Sequence, residues 1–281
     1  MTAETTGAAR WADQVRANRD QVDRVREVPD GQDFYSRVTS LFRADPRRTG
    51  EPVLDVLRGL ARPDDVWLDI GAGAGRYALP LALTVREVIA VDPSKSMLGV
   101  LRDLMAEHQI ANIRIVEGRW PLDEEQAARL GAFPVADASL IAHVGYDIEA
   151  IEPFIAAMEA ATGRLCVAVL MERTPASAAE PFWPPVHGEA RIPLPALPQF
   201  VELLRERGRQ PSVTLADRQP RRFDSRDELA GFLRRQLWIA DGGEKERRFH
   251  EELERLVVED DEGVTLAGAP LAIGVVTWTP R

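Results

Sequence analysis

Three groups of residues in this 281-residue sequence have the types and spacing that chemistry needs. The first is Val66-Trp67-Leu68-Asp69-Ile70 followed by Gly71-Ala72-Gly73-Ala74-Gly75-Arg76, an apolar run with an acid near its end and then glycine at every second position. Glycine at 71 and 73 allows unusual backbone dihedrals and lets a ligand press against the main chain. In the dinucleotide fingerprint G-x-G-x-x-G the third glycine would fall at position 76, which is Arg76; here it comes one residue earlier, at Gly75. The second is Asp92, which ends another apolar run 21 residues after Gly71. There a carboxylate can accept both hydroxyls of an adenosine ribose, although Asp also suits the cap of a following helix. The third is a set of proton-transfer candidates. His143 directly follows the run Ala138–Ala142 and titrates near neutral pH, so it can serve as a general base or simply shape a pocket. His187 and Glu189, in a proline-rich stretch, are alternatives. His108 and His250 fall on charged helical faces and read as solvated, and no His, Asp and Glu spacing suggests a metal site.

The elements that must position these residues follow from periodicity. Trp11, Val15, Val22 and Val25, then Phe34, Val38, Leu41 and Phe42, then Val53, Leu54, Leu57 and Leu60 recur at helical spacing. Three amphipathic helices thus precede the first strand. From Val66 the chain alternates: strand 66–70, helix 75–84, strand 87–92, a helix capped by Ser94, strand 113–116, strand 138–142, a helix capped by Asp147, and strand 165–171. That βαβαβ order predicts a parallel sheet with helices on both faces. Seven prolines between Pro175 and Pro198 then interrupt regular structure around Phe182 and Trp183, a pattern typical of lids and binding loops. A helix near 196–207, strand 212–216, two charged helices (one opened by the capping-box pattern at Ser225–Glu228) and a closing strand 271–278 complete the pattern.

The glycine turn with Asp69 two residues before it, and Asp92 at the next strand end, resemble the first two motifs of the class I S-adenosylmethionine (SAM) dependent methyltransferases. The resemblance covers roughly residues 53–171 by motif and extends to 278 by layout. It implies an α/β fold: a doubly wound, mostly parallel seven-stranded sheet whose last strand lies antiparallel beside the fifth. An N-terminal helical cap (1–52) would precede a Rossmann-like domain (53–281) carrying a proline-rich lid (173–198) and a helical insertion (225–268) before the last strand. It also implies a cofactor site. Asp69, Gly71, Ala72 and Gly73 would pass under the methionine and ribose portion, Asp92 would hold the ribose, and Pro93 and Met97 would flank the adenine. Gly118, Arg119 and Trp120 would meet the base through backbone, since arginine stands where the family usually has an acid. Ala142 and His143 would face the sulfonium, and Tyr35 beside Phe34 would help close the pocket. The expected activity is methyl transfer by in-line displacement to an O, N or C nucleophile of a small molecule. The Asn-Pro-Pro-Tyr type motif of amide and adenine-amine methyltransferases is absent at 142–146. Two other readings are a non-catalytic SAM-binding partner or sensor and a nicotinamide-dependent oxidoreductase; the glycine spacing opposes the second.

Composition bounds the rest. A net charge of −10, with arginine pairs such as Arg221-Arg222 flanked by acids, argues against a nucleic-acid surface, which needs clustered cations. No apolar run approaches a membrane span, and the first thirty residues lack the pattern of a secretion signal. The single cysteine, Cys166, lies inside an apolar run and reads as a buried thiol, consistent with a cytoplasmic address. A homodimer remains open.

Overall fold

The computed structural model describes residues 6–29, 43–216, 221–268 and 271–281. Tyr35 and Phe34, with the helix expected around them, lie outside the described residues. Helix α1 (Gly7–Val25) opens the chain, with Thr6 as its cap, and α2 (Pro52–Leu60) leads to the first strand. Then follow β1 (Val66–Ile70), α3 (Ala78–Ala82), β2 (Glu87–Asp92), α4 (Lys95–His108), β3 (Ile113–Glu117), α5 (Glu124–Leu130), β4 (Ala136–Ala142), α6 (Ile151–Ala160) and β5 (Thr162–Met171). A 3-10 helix (Pro175–Phe182) runs into α7 (Trp183–His187), followed by α8 (Leu197–Glu206), β6 (Ser212–Ala216), α9 (Arg226–Leu237) and α10 (Glu244–Leu256). The hairpin β7 (Val257–Asp260) and β8 (Gly263–Leu266) precedes the last strand, β9 (Ile273–Trp278).

The main sheet has the order β3-β2-β1-β4-β5-β9-β6. Pairings from β3 through β5 are parallel, and β9 runs antiparallel to both β5 and β6. The strand sequences explain this layout. β1 is buried along its whole length, as a strand covered by helices on both faces must be. Its side chains alternate: Leu68 and Ile70 pack with Trp11, Phe154, Phe200 and Trp278 on one face, and Trp67 packs with Leu54, Leu57, Leu79 and Leu101 on the other. Leu68 is fully buried, and truncating such a leucine to alanine costs about 2–5 kcal/mol.

Several boundaries differ from the sequence expectations. The helix expected over 75–84 is only Ala78–Ala82, because Gly71, Gly73 and Gly75 all carry positive φ and keep the preceding segment in a turn. Asp147 does not cap the helix after β4. The chain first makes a turn in which Ile148 N–H bonds to the Gly145 carbonyl, and the helix begins at Ile151 with Ala150 at the cap. Ser94 and Ser225 do cap, their hydroxyls accepting from the amides of Met97 and Glu228. The proline-rich stretch is regular over Pro175–His187: Pro175 and Pro184 stand at the first or second position of their helices, where no intrahelical bond is forfeited, while Pro181 lies inside the 3-10 helix. Within it Phe182 and Trp183 are fully buried, with Phe249, Leu233 and Val264, in a third apolar cluster. The insertion before the last strand is therefore two helices plus a hairpin.

Helix α1 is joined to the extended segment after α7 by a row of amides. Gln14 Nε2 donates to the Pro193 carbonyl at 3.0 Å, Asn18 donates to the Ile192 carbonyl, and Gln21 both donates to Ala190 O and accepts from Ile192 N–H. These amides stand at helical spacing beside the apolar residues Trp11 and Val15, and Asn18 and Gln21 are buried. Among the described residues, no helix is long and apolar enough to cross a membrane.

Candidate functional site

The carboxyl ends of β1, β2 and β4 converge, and the glycine turn ties them together. Gly71 N–H and Ala72 N–H both donate to the Val91 carbonyl, at 2.8 and 3.1 Å, so the turn folds over the end of β2. There the Asp92 carboxylate accepts from Gly73 N–H through Oδ2 and from Ser94 N–H through Oδ1, each at 2.8 Å. Asp92 thus anchors the turn and the start of α4 at once. A carboxylate has about four lone-pair sites, so this backbone anchoring is compatible with accepting hydroxyl groups as well.

The turn is close-packed where side chains approach it. Gly71 has φ +77, and a Cβ there would lie 2.4 Å from Val144 Cγ2, just past the end of β4. Gly73 has φ +54, and its Cβ would lie 3.2 Å from the Met97 terminal methyl. Both dihedrals belong to the left-handed region that favours glycine. Met97 is buried, whereas Pro93 is exposed at the rim. Asp69 lies beneath the turn, 3% exposed, and accepts a backbone hydrogen bond from Ala78 at the start of α3. Burial, together with the negative charge of Asp92, pushes its carboxyl up to about 7.

From β3, Gly118 N–H donates to the Asp92 carbonyl at 3.1 Å, which brings this loop to the same strand ends. Arg119 is exposed. Trp120 turns away from the strand ends: its indole is buried in the core and donates to the Phe154 carbonyl at 3.3 Å, so only its backbone stays near the site.

At the end of β4, Ala142 is paired with Val169 of β5, and His143 N–H donates to the Val169 carbonyl. His143 adopts φ +57; among the described residues the other two non-glycine residues with positive φ, Gln109 and Trp238, are helix C-caps. A strained residue at a strand end points to a site where geometry matters more than local stability. The His143 Nδ1 lies 3.4 Å from the Tyr146 hydroxyl, and that hydroxyl accepts from Met171 N–H at 2.8 Å. Tyr146, which sequence reasoning did not single out, is thus the bridge between the ends of β4 and β5. Its only sequence signal is its place three residues after His143.

His187 and Glu189 are not brought to these strand ends. The His187 Nε2 lies 2.9 Å from the Leu237 carbonyl, and its ring centre is 4.5 Å from that of Trp183. Desolvation first, and the Lys245 charge second, push its imidazole down to about 4. Glu189 is ion-paired with Arg24 of α1 at 2.9 Å. His187 is thus tied to α9 and Glu189 to α1. Cys166 is buried in β5 and its thiol is pushed up to about 12, mainly by desolvation, so it offers no thiolate.

Strand order, glycine turn and the Asp92 carboxylate together define a class I SAM-dependent methyltransferase fold. Residues 68–158 match the family described as methyltransferase domain. Solved structures with the same fold include the YcgJ protein of Bacillus subtilis (15% identity, TM-score 0.56, covering 81% of this chain and 98% of that one). Another is a SAM-dependent methyltransferase of Thiobacillus denitrificans in complex with S-adenosyl-L-homocysteine (14% identity, TM-score 0.51, covering 90% and 100%). These likenesses concern the fold. A 68-residue stretch is 34% identical to the 23S rRNA (uracil(1939)-C(5))-methyltransferase RlmD of Xanthomonas campestris, over 24% of this chain. The matched stretch spans about 15% of the length of that relative. The residues present fit SAM in one specific respect: the two side-chain-free positions, Gly71 and Gly73, lie where added Cβ atoms would crowd Val144 and Met97, next to the anchored Asp92.

Proposed function

We propose that the protein transfers a methyl group from SAM to an O, N or C nucleophile of a small molecule by in-line displacement. The observation that carries this reading is the Asp92 carboxylate, bonded to the Gly73 and Ser94 amides at the end of β2. When bound, SAM supplies an electrophilic methyl group together with its own leaving group. The chain's task is then to align the nucleophile and exclude water. Asp92 would hold the ribose, Gly71 through Gly73 would lie beneath the cofactor, and Met97 would pack on the adenine. Ala142 and His143 would stand at the transferable methyl.

His143 can also take a proton from the acceptor, provided its tautomer is right. With Nδ1–H donating to the Tyr146 oxygen, Nε2 carries the lone pair and is the basic atom. With the Tyr146 hydroxyl donating to Nδ1, Nε2 carries the hydrogen and can only donate. Tyr146 therefore sets which role His143 has.

A small acceptor is supported by the charge. At −10 net, a surface able to displace counterions from a polynucleotide is disfavoured. The ribosomal RNA named for the Xanthomonas relative is therefore not the substrate we favour. The test is a metabolite screen with methyl-labelled SAM alongside a melting curve with S-adenosylhomocysteine. At a ligand concentration of 100 times the dissociation constant, linkage gives about 2.7 kcal/mol of stabilisation. Label found in a small product together with a raised melting temperature is the expected result. No stabilisation by S-adenosylhomocysteine, or label found only in RNA, would overturn the proposal.

A further inference from the structure

A cavity of about 220 Å³ opens where the chain leaves β5. Glu172, Thr174 and Glu180 line it together with Gln14 of α1, Gln199 of α8 and Arg191. It adjoins the candidate methyl position through the chain itself. Met171, the residue before Glu172, donates its N–H to Tyr146, and Tyr146 touches His143.

The cavity has two cations in different circumstances. Arg173 is ion-paired with Glu180. Arg191 has no carboxylate partner among the described residues: its Nη1 donates to the Ala176 carbonyl at 2.6 Å, and its guanidinium lies 4.8 Å over the Trp183 ring. Trp183 is fully buried, so the platform under the guanidinium is fixed. The segment that carries Arg191 is itself held, because Gln21 bonds to Ala190 and Ile192 on either side. Arg191 is half-buried, and desolvation pulls its guanidinium down to about 10, the direction expected of a cation lacking compensation.

A charge held that way calls for a counter-charge. The guanidinium fork matches a carboxylate in bidentate geometry. The N-terminal end of α8, at Ala196 and Gln199, borders the same cavity and adds the positive end of a helix dipole. The exposed Glu172 at the rim gives a hydroxyl or amino group of the same molecule an acceptor.

We propose that this cavity is the acceptor subsite and selects small molecules bearing a carboxylate, which Arg191 holds while their hydroxyl or amino group faces the ends of β4 and β5. The inference rests on the methyl-transfer reading and names its substrate class. The test uses small hydroxy- and aminocarboxylic acids, each paired with its primary amide, titrated calorimetrically into the full chain with and without S-adenosylhomocysteine. At least one acid should bind and its amide should not. Arg191→Gln should weaken that acid about tenfold or more while S-adenosylhomocysteine affinity stays within a few-fold. Should Arg191→Gln fail to fold by circular dichroism, Arg191→Lys keeps the charge without the fork and should also weaken the acid. Acids binding no better than amides, or binding a folded Arg191 variant as well as the parent, would overturn the proposal. If acids bind in this pattern but S-adenosylhomocysteine does not bind, the carboxylate site stands and the methyl-transfer reading fails.

Discussion

The Asp92 carboxylate accepts the Gly73 amide at 2.8 Å, a bond that joins the end of the second strand to the turn after the first across 19 residues of chain. One side chain therefore shapes the floor of the cofactor site and stands where a ribose would be held. The two roles are partly separable, because an asparagine oxygen can keep the Gly73 bond while the charge and the Ser94 bond are lost.

Asp92→Asn, with its one acceptor oxygen kept on Gly73 N–H, should hold the turn at the cost of the Ser94 bond and weaken S-adenosylhomocysteine, since a hydrogen bond to a charged group is worth about 1.5–3 kcal/mol. Asp92→Ala should weaken it at least as much and lower the melting temperature too. Isothermal calorimetry on both variants separates the contributions. Unchanged affinity in both would remove Asp92 from the ribose site.

Gly73 is expected to be needed for the ligand more than for the fold. With φ at +54 and a hypothetical Cβ 3.2 Å from a flexible methionine end, alanine there costs about 1–2 kcal/mol of backbone strain, which a domain of this size can tolerate. Gly73→Ala should stay folded by circular dichroism and bind S-adenosylhomocysteine poorly. A folded variant with parental affinity would mean that the turn does not cradle the ligand.

Stability should fall as pH rises through the acid-to-neutral range because of Asp69. Its carboxyl is held up to about 7 in the folded chain by burial and by the Asp92 charge, against about 3.9 when unfolded. Below pH 4 both states are protonated and Asp69 contributes nothing to the slope. Between about 4 and 7 the folded state binds more protons than the unfolded one, so stability declines with pH, and above 7 the loss is complete. A shift of this size corresponds to a few kcal/mol, about 1.4 per unit. Urea midpoints from pH 4.5 to 8 should show a decline that Asp69→Asn flattens. Parallel profiles for parent and variant would refute the assignment.

Tyr146 should act on the reaction through His143. In Tyr146→Phe the partner of Nδ1 is lost, 3.4 Å away in the parent. We expect S-adenosylhomocysteine affinity within a few-fold of the parent, a displaced pH–rate profile and turnover down about tenfold, or 1.4 kcal/mol in the barrier. His143→Ala should abolish the acid limb of that profile. If both variants keep the parental pH profile, His143 shapes the pocket without moving a proton.

The parts of this protein legible in its sequence are those set by local pattern. β1, β2 and their parallel pairing follow from apolar runs buried on both faces. The glycine turn is visible because only glycine takes positive φ freely at 71 and 73, and Asp92 because it ends a strand 21 residues after that turn. What periodicity hides is which distant surfaces meet. Trp120 reads as near the base through its backbone alone, and where its indole goes is set by α6, 34 residues further on. Phe182 and Trp183 stand in a stretch that reads as a lid or binding loop, yet they are packed against α9 and α10. Gln14, Asn18 and Gln21 look like ordinary polar residues of an amphipathic helix, and only their pairing with a segment about 170 residues away makes them a scaffold. The candidate cofactor site is legible in the sequence because it is built from adjacent strand ends and the turns between them. Tertiary structure alone decided where an acceptor can lie. The cavity walls come from α1, the exit of β5 and α8, and a free energy of burial summed over such distant contacts leaves no mark on local spacing.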